Sequence, residues 1–229
     1  MTKNKLTVIS LGGSLIAPKE GFNVEFLRDF RNLIVKFLKK GHRFIIVCGG
    51  GQTARNYQAA ASGVGELQAD DIDWMGIHAT RLNAHLMKAI LRDYVHPIVI
   101  KNPTLKTEWD EEVLLAAGWK PGWSTDYDAV KLAELYGAKT LINLSNISYV
   151  YDDDPRTNPK AKKIENISWP DFRKIVGDEW SPGANTPFDP VASKEAEKVG
   201  LKVIFVKGTE LSEVEKAIAG KDYLGTTIE

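Results

Sequence analysis

The chain has 229 residues, enough for one large domain or two small lobes, and an apolar share of 43% gives it material for a real core. Its 30 basic residues balance 30 acidic ones, so no basic excess points to nucleic acid. The single cysteine, Cys48, excludes an internal disulfide and has no zinc constellation around it. No apolar run suits a signal peptide or a bilayer span, so no membrane partner and a cytoplasmic location are expected.

Leu6 to Leu11 reads as a first strand, closed by Gly12-Gly13-Ser14. Phe26 to Lys40 carries a helical stripe of Phe26, Leu27, Phe30, Leu33, Ile34, Phe37 and Leu38 and stops at Gly41. Phe44 to Cys48 is an apolar, partly β-branched run suited to a buried parallel strand. It ends in Gly49-Gly50-Gly51, and a helix over Thr53 to Ala61 follows. Strand, glycine turn and helix aim backbone N–H groups and a helix dipole at an anion. Glycine suits the turn because it tolerates φ > 0 and has no Cβ to hold a phosphate away. Arg55 lies one turn into that helix, a fixed positive fork. The triplet is not a Gly-x-Gly-x-x-Gly pattern, so no dinucleotide fold is indicated.

A long helix is expected over Trp74 to Arg92, with Asp70, Asp71 and Asp73 near its start; the helix dipole accounts for two of these acids. Arg81, Asn83 and His85 lie inside it, and each alone points weakly to function. Val95 to Ile100 is expected as a strand, Asn102 to Glu112 as a surface helix or loop, and Leu114 to Ala117 as a strand-like run. The loop Gly118 to Asp126 comes next, where Ser124 or Thr125 suits a cap for a helix ending at Tyr136. Thr140 to Leu144 is a strand, Asp152 to Lys163 a loop, Pro170 to Val176 a helix and Ser181 to Pro190 a proline-rich loop. A helix over Val191 to Val199, a strand over Val203 to Val206, a helix over Ser212 to Ala219 and an edge strand over Thr226 to Ile228 complete the chain.

Strands alternating with helices predict an α/β fold: a three-layer αβα sandwich with a mainly parallel central sheet. Ligands of such sheets sit beyond the carboxyl ends of the strands, where all three glycine-bearing loops fall. Their convergence points to phosphate handling.

Ser10-Leu11-Gly12-Gly13-Ser14-Leu15, the Gly49-Gly50-Gly51 turn with Arg55, Asp73 to Ile77 leading to Thr80-Arg81-Leu82-Asn83-Ala84, Pro121-Gly122 before Ser124-Thr125-Asp126, Ser145-Asn146 before Val150-Tyr151, Asp154-Pro155 and Gly225 to Ile228 occur in one order. In that order they resemble the amino acid kinase superfamily, and within it the archaeal-type uridylate (UMP) kinases. The resemblance covers nearly the whole chain. It implies one amino acid kinase domain over 1–229, with a UMP-binding part near 1–120 and an ATP-binding part near 121–229. It implies transfer of the ATP γ-phosphoryl group to UMP, with Mg²⁺ carried by ATP and no direct protein ligand to the metal, in a homohexamer.

By family motif, Gly13, Ser14, Gly51 and Arg55 would hold the ATP phosphates, and Ser145, Tyr151 and Asp154 would line the ATP side. Gly50, Asp73 and the loop Trp119, Lys120, Pro121, Gly122, Trp123, Ser124 and Thr125 would hold UMP. Arg55 and Asp126 would be the catalytic pair, acting by position and charge. The chain departs from the family pattern in four places. Ser10 stands where many members carry lysine, leaving Arg55 or Lys194 to supply the charge. Ser148 and Tyr149 replace an Asp and a Gly near the ATP ribose. Trp119 and Trp123 replace common Thr and His. Asp128 and Lys131 fall where the next helix is usually apolar, which suggests a solvated or interface-facing side. The alternatives are a kinase for another small phosphate or carboxylate, and a non-catalytic nucleotide- or oxyanion-binding subunit.

Overall fold

The computed structural model describes residues 5–155, 157–179 and 186–229. The elements follow the chain as β1 (Lys5–Leu11), α1 (Gly13–Ile16), α2 (Val24–Leu38), β2 (His42–Cys48), α3 (Gly51–Ser62), α4 (Ala69–Ile90), β3 (Val113–Ala116), α5 (Thr125–Tyr136) and β4 (Thr140–Ser145). The short strands β5 (Val150–Tyr151), β6 (Lys163–Ile164) and β7 (Asn166–Ile167) come next. The chain closes with α6 (Trp169–Val176), α7 (Pro190–Lys198), β8 (Lys202–Lys207), α8 (Leu211–Ala219) and β9 (Thr226–Ile228).

Among the described residues, the main sheet has the strand order β3-β2-β1-β4-β8-β9-β7. The first five run parallel, and β9 is antiparallel to β8. The predicted helix–sheet–helix layering holds. Successive residues of β2 explain why its sequence is continuously apolar: Phe44, Ile46 and Cys48 enter one core, while Ile45 and Val47 enter the other. The first core is filled by α2, α4 and α8 through Phe30, Phe37, Met87 and Val214. The second is filled by α5, α6 and α7 through Ala129, Val130, Phe172 and Ala196. Every residue of the predicted α2 stripe is buried, and each large apolar side chain buried there stabilises by about 1.5–3 kcal/mol.

Several boundaries differ from expectation. The long helix begins at Ala69, not Trp74, because Gln68 and Asp71 form a reciprocal capping box. Asp70 and Asp71 thus occupy its first turn, and Asp73 lies beyond it. Val95–Ile100 is not a strand. Only isolated bridges join Val95 to Val113 and Ile100 to Ala116, because Pro97 between them has no N–H for a ladder. Asn102 to Glu112 is a loop, held where the Tyr136 hydroxyl bonds the Thr107 backbone and the Arg43 guanidinium bonds the Trp109 and Glu111 carbonyls. β9 is not an edge strand, since β7 pairs along its outer side. Of the proline-rich loop, Ser181 to Asn185 lies outside the described residues.

Candidate active site

The first two glycine turns interlock. The Gly49 N–H donates to the Leu11 carbonyl (2.9 Å), and the Gln52 N–H donates to the Ala17 carbonyl (2.9 Å). A Cβ on Gly13 would collide with the Gly51 backbone nitrogen, and a Cβ on Gly49 would lie 2.6 Å from the Gly13 nitrogen. Gly51 also sits at φ +63°, where side chains are strained. The main chains of the two turns therefore pack directly on each other. The next strand joins them: the Gly12 N–H donates to the Leu144 carbonyl (2.8 Å), and a Cβ on Gly12 would be 3.6 Å from the Ser145 Cα. Gly13, Ser14, Gly50, Gly51 and Ser145 are thus gathered at the carboxyl edge of β2, β1 and β4. Helix α3 starts here with no side-chain cap, so its positive end faces this corner. Arg55 lies exposed on that helix, its Nε bonded to Gln52 Oε1 (3.0 Å).

The third loop is held from below by α4. The Gly118 N–H donates to Thr80 Oγ1 (2.8 Å), and Arg81 reaches the carbonyls of Gly118 (3.3 Å) and Trp119 (2.8 Å). Asn83 Nδ2 donates to the Gly49 (2.8 Å) and Gly50 (3.1 Å) carbonyls, so one helix grips two of the three loops. Asp73 Oδ2 accepts the Gly122 N–H (2.8 Å), and Gly122 takes φ +77°. Ser124, not Thr125, caps α5 by accepting the Tyr127 N–H (3.1 Å). Trp119 and Trp123 pack edge-to-face at 4.6 Å, Trp123 meets Tyr127 at 4.5 Å, and the Lys120 ammonium lies 4.3 Å from the Trp119 ring centre. The two indoles lie against each other within the loop.

Thr80, Arg81, Asn83 and Asp128 carry more of this site than sequence reasoning assigned to them. The available signal was position: Thr80 and Asn83 lie on the buried stripe with Ile77, Ala84 and Met87, where polar side chains need partners. Asp128 and Lys131 are a correction. Asp128 is 1% exposed, on neither a solvated nor an open face, because its carboxyl turns to the Trp119 N–H and Arg81. Lys131 is half-buried and pairs with Glu195 of α7 (3.2 Å).

Asp126 stands where the strand order reverses, between β1 and β4. Ser10 and Asn143 are register partners across that junction, and both donate to Asp126 Oδ1, at 3.0 and 3.1 Å. Burial pushes the Asp126 carboxyl up to about 7; bonds from Ser10, Asn143 and the Asp189 N–H oppose this, and the Asp189 carboxylate adds to it. Its named hydrogen-bond partners are all neutral, so a cation brought by a ligand would be favoured here. Lys194 is exposed on α7. Tyr151 pairs with Lys163 in the β5–β6 ribbon, and the Asp154 carbonyl accepts the Thr157 and Asn158 N–H groups in the turn between these strands.

The amino acid kinase family model matches residues 5–207. The chain belongs to the amino acid kinase family. A protein from Pyrococcus abyssi named uridylate kinase is 35% identical over 227 residues, 97% of this chain and 98% of its own. One of the same name from Methanococcus maripaludis strain C5 is 36% identical over 226 residues, 96% of this chain and 98% of its own. The crystal structure of uridylate kinase from Archaeoglobus fulgidus superposes with a TM-score of 0.81 at 30% identity, covering 97% of this chain and 99% of that one. The UMP kinase of Ureaplasma parvum, at 20% identity and a TM-score of 0.79, shares the fold. The interlocked glycine turns and the gripped third loop are thus features of an amino acid kinase sheet.

Proposed function

We propose that this family member is a UMP kinase, transferring the γ-phosphoryl group of ATP to UMP to give UDP and ADP. The observation that carries the reading is end-to-end similarity to uridylate kinases at about 35% identity. The three loops at one sheet edge support it.

In this reading Gly13, Ser14 and Gly51 offer backbone N–H groups to the ATP phosphates, and Arg55 adds a fork. Ser145, Tyr151 and Asp154 line the nucleoside side of ATP, on the 121–229 part of the chain. Gly50, Asp73 and the loop from Trp119 to Thr125 hold UMP, mostly from the 1–120 part. Asp73 accepts one loop N–H and keeps lone pairs for ribose hydroxyls. An oxygen of the UMP phosphate attacks the γ-phosphorus, and ADP leaves with the bridging oxygen. The attacking phosphate is already ionised, so positioning and charge neutralisation dominate over proton abstraction. Asp126 orients the charged groups at this point.

Among the described residues no cluster of three or more His, Cys, Asp or Glu side chains could cage a metal. Such a lining fits Mg²⁺ carried by the ATP phosphates, which would need no protein cage, and Asp126 is the carboxylate that would face it. Mg²⁺ carried there would supply charge neutralisation for the transferring group. Among the described residues no helix is long and apolar enough to cross a membrane. A cytoplasmic homohexamer belongs to the same proposal and is checked by sedimentation. The deciding assay is ADP release from ATP and Mg²⁺ with UMP, CMP, dUMP, AMP or no acceptor. UMP should be preferred, and release indifferent to acceptor would overturn the reading.

A further inference from the structure

Asp128 is a carboxyl with 1% exposure, and the other buried residues of its helix are Ala129, Val130, Leu132 and Ala133. Burying a carboxylate costs several kcal/mol unless specific partners offset it. Its Oδ2 accepts the Trp119 N–H at 3.2 Å, and its Oδ1 has no hydrogen-bond partner. The nearby Arg81 guanidinium draws the Asp128 pKa down, against the dominant effect of burial, which pushes it up to about 8.

The backbone of Gly118 and Trp119 is fully accounted for by three side chains. Thr80 takes the Gly118 N–H and Asp128 the Trp119 N–H, while Arg81 serves both carbonyls. Four groups bonded to two helices fix the root of the third loop in all directions. That root carries the Trp119 indole, Lys120 and Trp123, the groups the proposed function gives to the acceptor. We propose that Asp128, together with Arg81, is a positioning residue that sets acceptor affinity by fixing the Gly118–Trp119 peptide between α4 and α5. Neither side chain needs to touch the acceptor. The inference rests on the UMP kinase reading only in naming UMP as that acceptor.

The test compares wild type with Asp128→Asn, Asp128→Leu and Arg81→Lys, each checked for folding. Asparagine keeps an acceptor for the Trp119 N–H, leucine keeps the volume without it, and lysine keeps the charge without the fork. Asp128→Leu should raise the UMP KM by up to about tenfold, the upper end of the loss expected for one ordinary buried hydrogen bond. Its ATP KM and saturated kcat should stay within about twofold, and Asp128→Asn should restore the UMP KM to within about threefold of wild type. Arg81→Lys should shift the UMP KM in the same direction as leucine and serves as the second variant if Asp128→Leu does not fold. Folded variants with an unchanged UMP KM overturn the proposal, whatever their Tm, and so does a fall in kcat alone.

Where wild type makes no product with UMP, the proposed function fails separately. Near-ultraviolet circular dichroism then decides the positioning role, because the Trp119 and Trp123 rings lie only 4.6 Å apart and couple strongly. Loss of that indole signal in Asp128→Leu supports the proposal, and an unchanged spectrum overturns it.

Discussion

Asp126→Asn separates what this carboxyl does for chemistry from what it does to stability. Its pKa is raised from the usual 3.8 to about 7, chiefly by burial. The folded chain therefore holds the proton more tightly than the unfolded one. The stabilising contribution is complete below pH 3.8 and is lost as pH rises through about 7. One pKa unit is worth about 1.36 kcal/mol, so the whole difference corresponds to about 4 kcal/mol. Asp126 has intermediate exposure, so about 4 kcal/mol is the upper limit of the expected loss. Asparagine cannot ionise, has nearly the same volume, and its carbonyl oxygen still accepts from Ser10 and Asn143. Urea unfolding should find the variant more stable than wild type, with an advantage that grows from pH 5 to pH 8. Turnover should fall about 10²–10³-fold at saturating substrates, the cost of one preorganised charge contact at the reacting group. Comparing variant with wild type largely cancels the titration of Asp128, which both carry. Parallel stability–pH curves would refute the raised pKa, and undiminished turnover would remove Asp126 from the mechanism.

Arg55→Ala should lose about 10²–10³-fold in turnover with an unchanged Tm, because the side chain is exposed and bonds only Gln52 among its named partners; near-wild-type turnover would exclude it. Asp73→Ala should raise the UMP KM about tenfold or more with little change for ATP, part of the effect coming from release of the Gly122 N–H. An unchanged UMP dependence would leave Asp73 a loop tether alone. At least one of Trp119→Leu and Trp123→Leu should alter the UMP-dependent fluorescence, because an indole stacked on uracil is worth about 1–3 kcal/mol per base. If neither changes the signal or the affinity, the rings serve only each other and Tyr127.

The sequence alone determined the layers and the sheet edge at which the glycine turns gather. The apolar run from Phe44 to Val47 requires burial on both faces, and the α2 stripe requires one core-facing side; both patterns are local, so they could be read without the fold. The glycine turns were legible for the same reason, since a residue without Cβ marks close approach wherever it lies. Chain order could not reveal that Gly13 and Gly51 approach each other, or that Ser10 and Asn143 meet across a strand junction to hold Asp126. Asp128 shows the limit best. Against the family pattern it was an acid where the helix is usually apolar, read as a solvated or interface-facing side. Its neighbours, Arg81 and the Trp119 N–H, belong to a helix far earlier in the chain and to the loop just before its own helix. A buried carboxyl needs such hydrogen-bond partners, and only the tertiary structure supplies them.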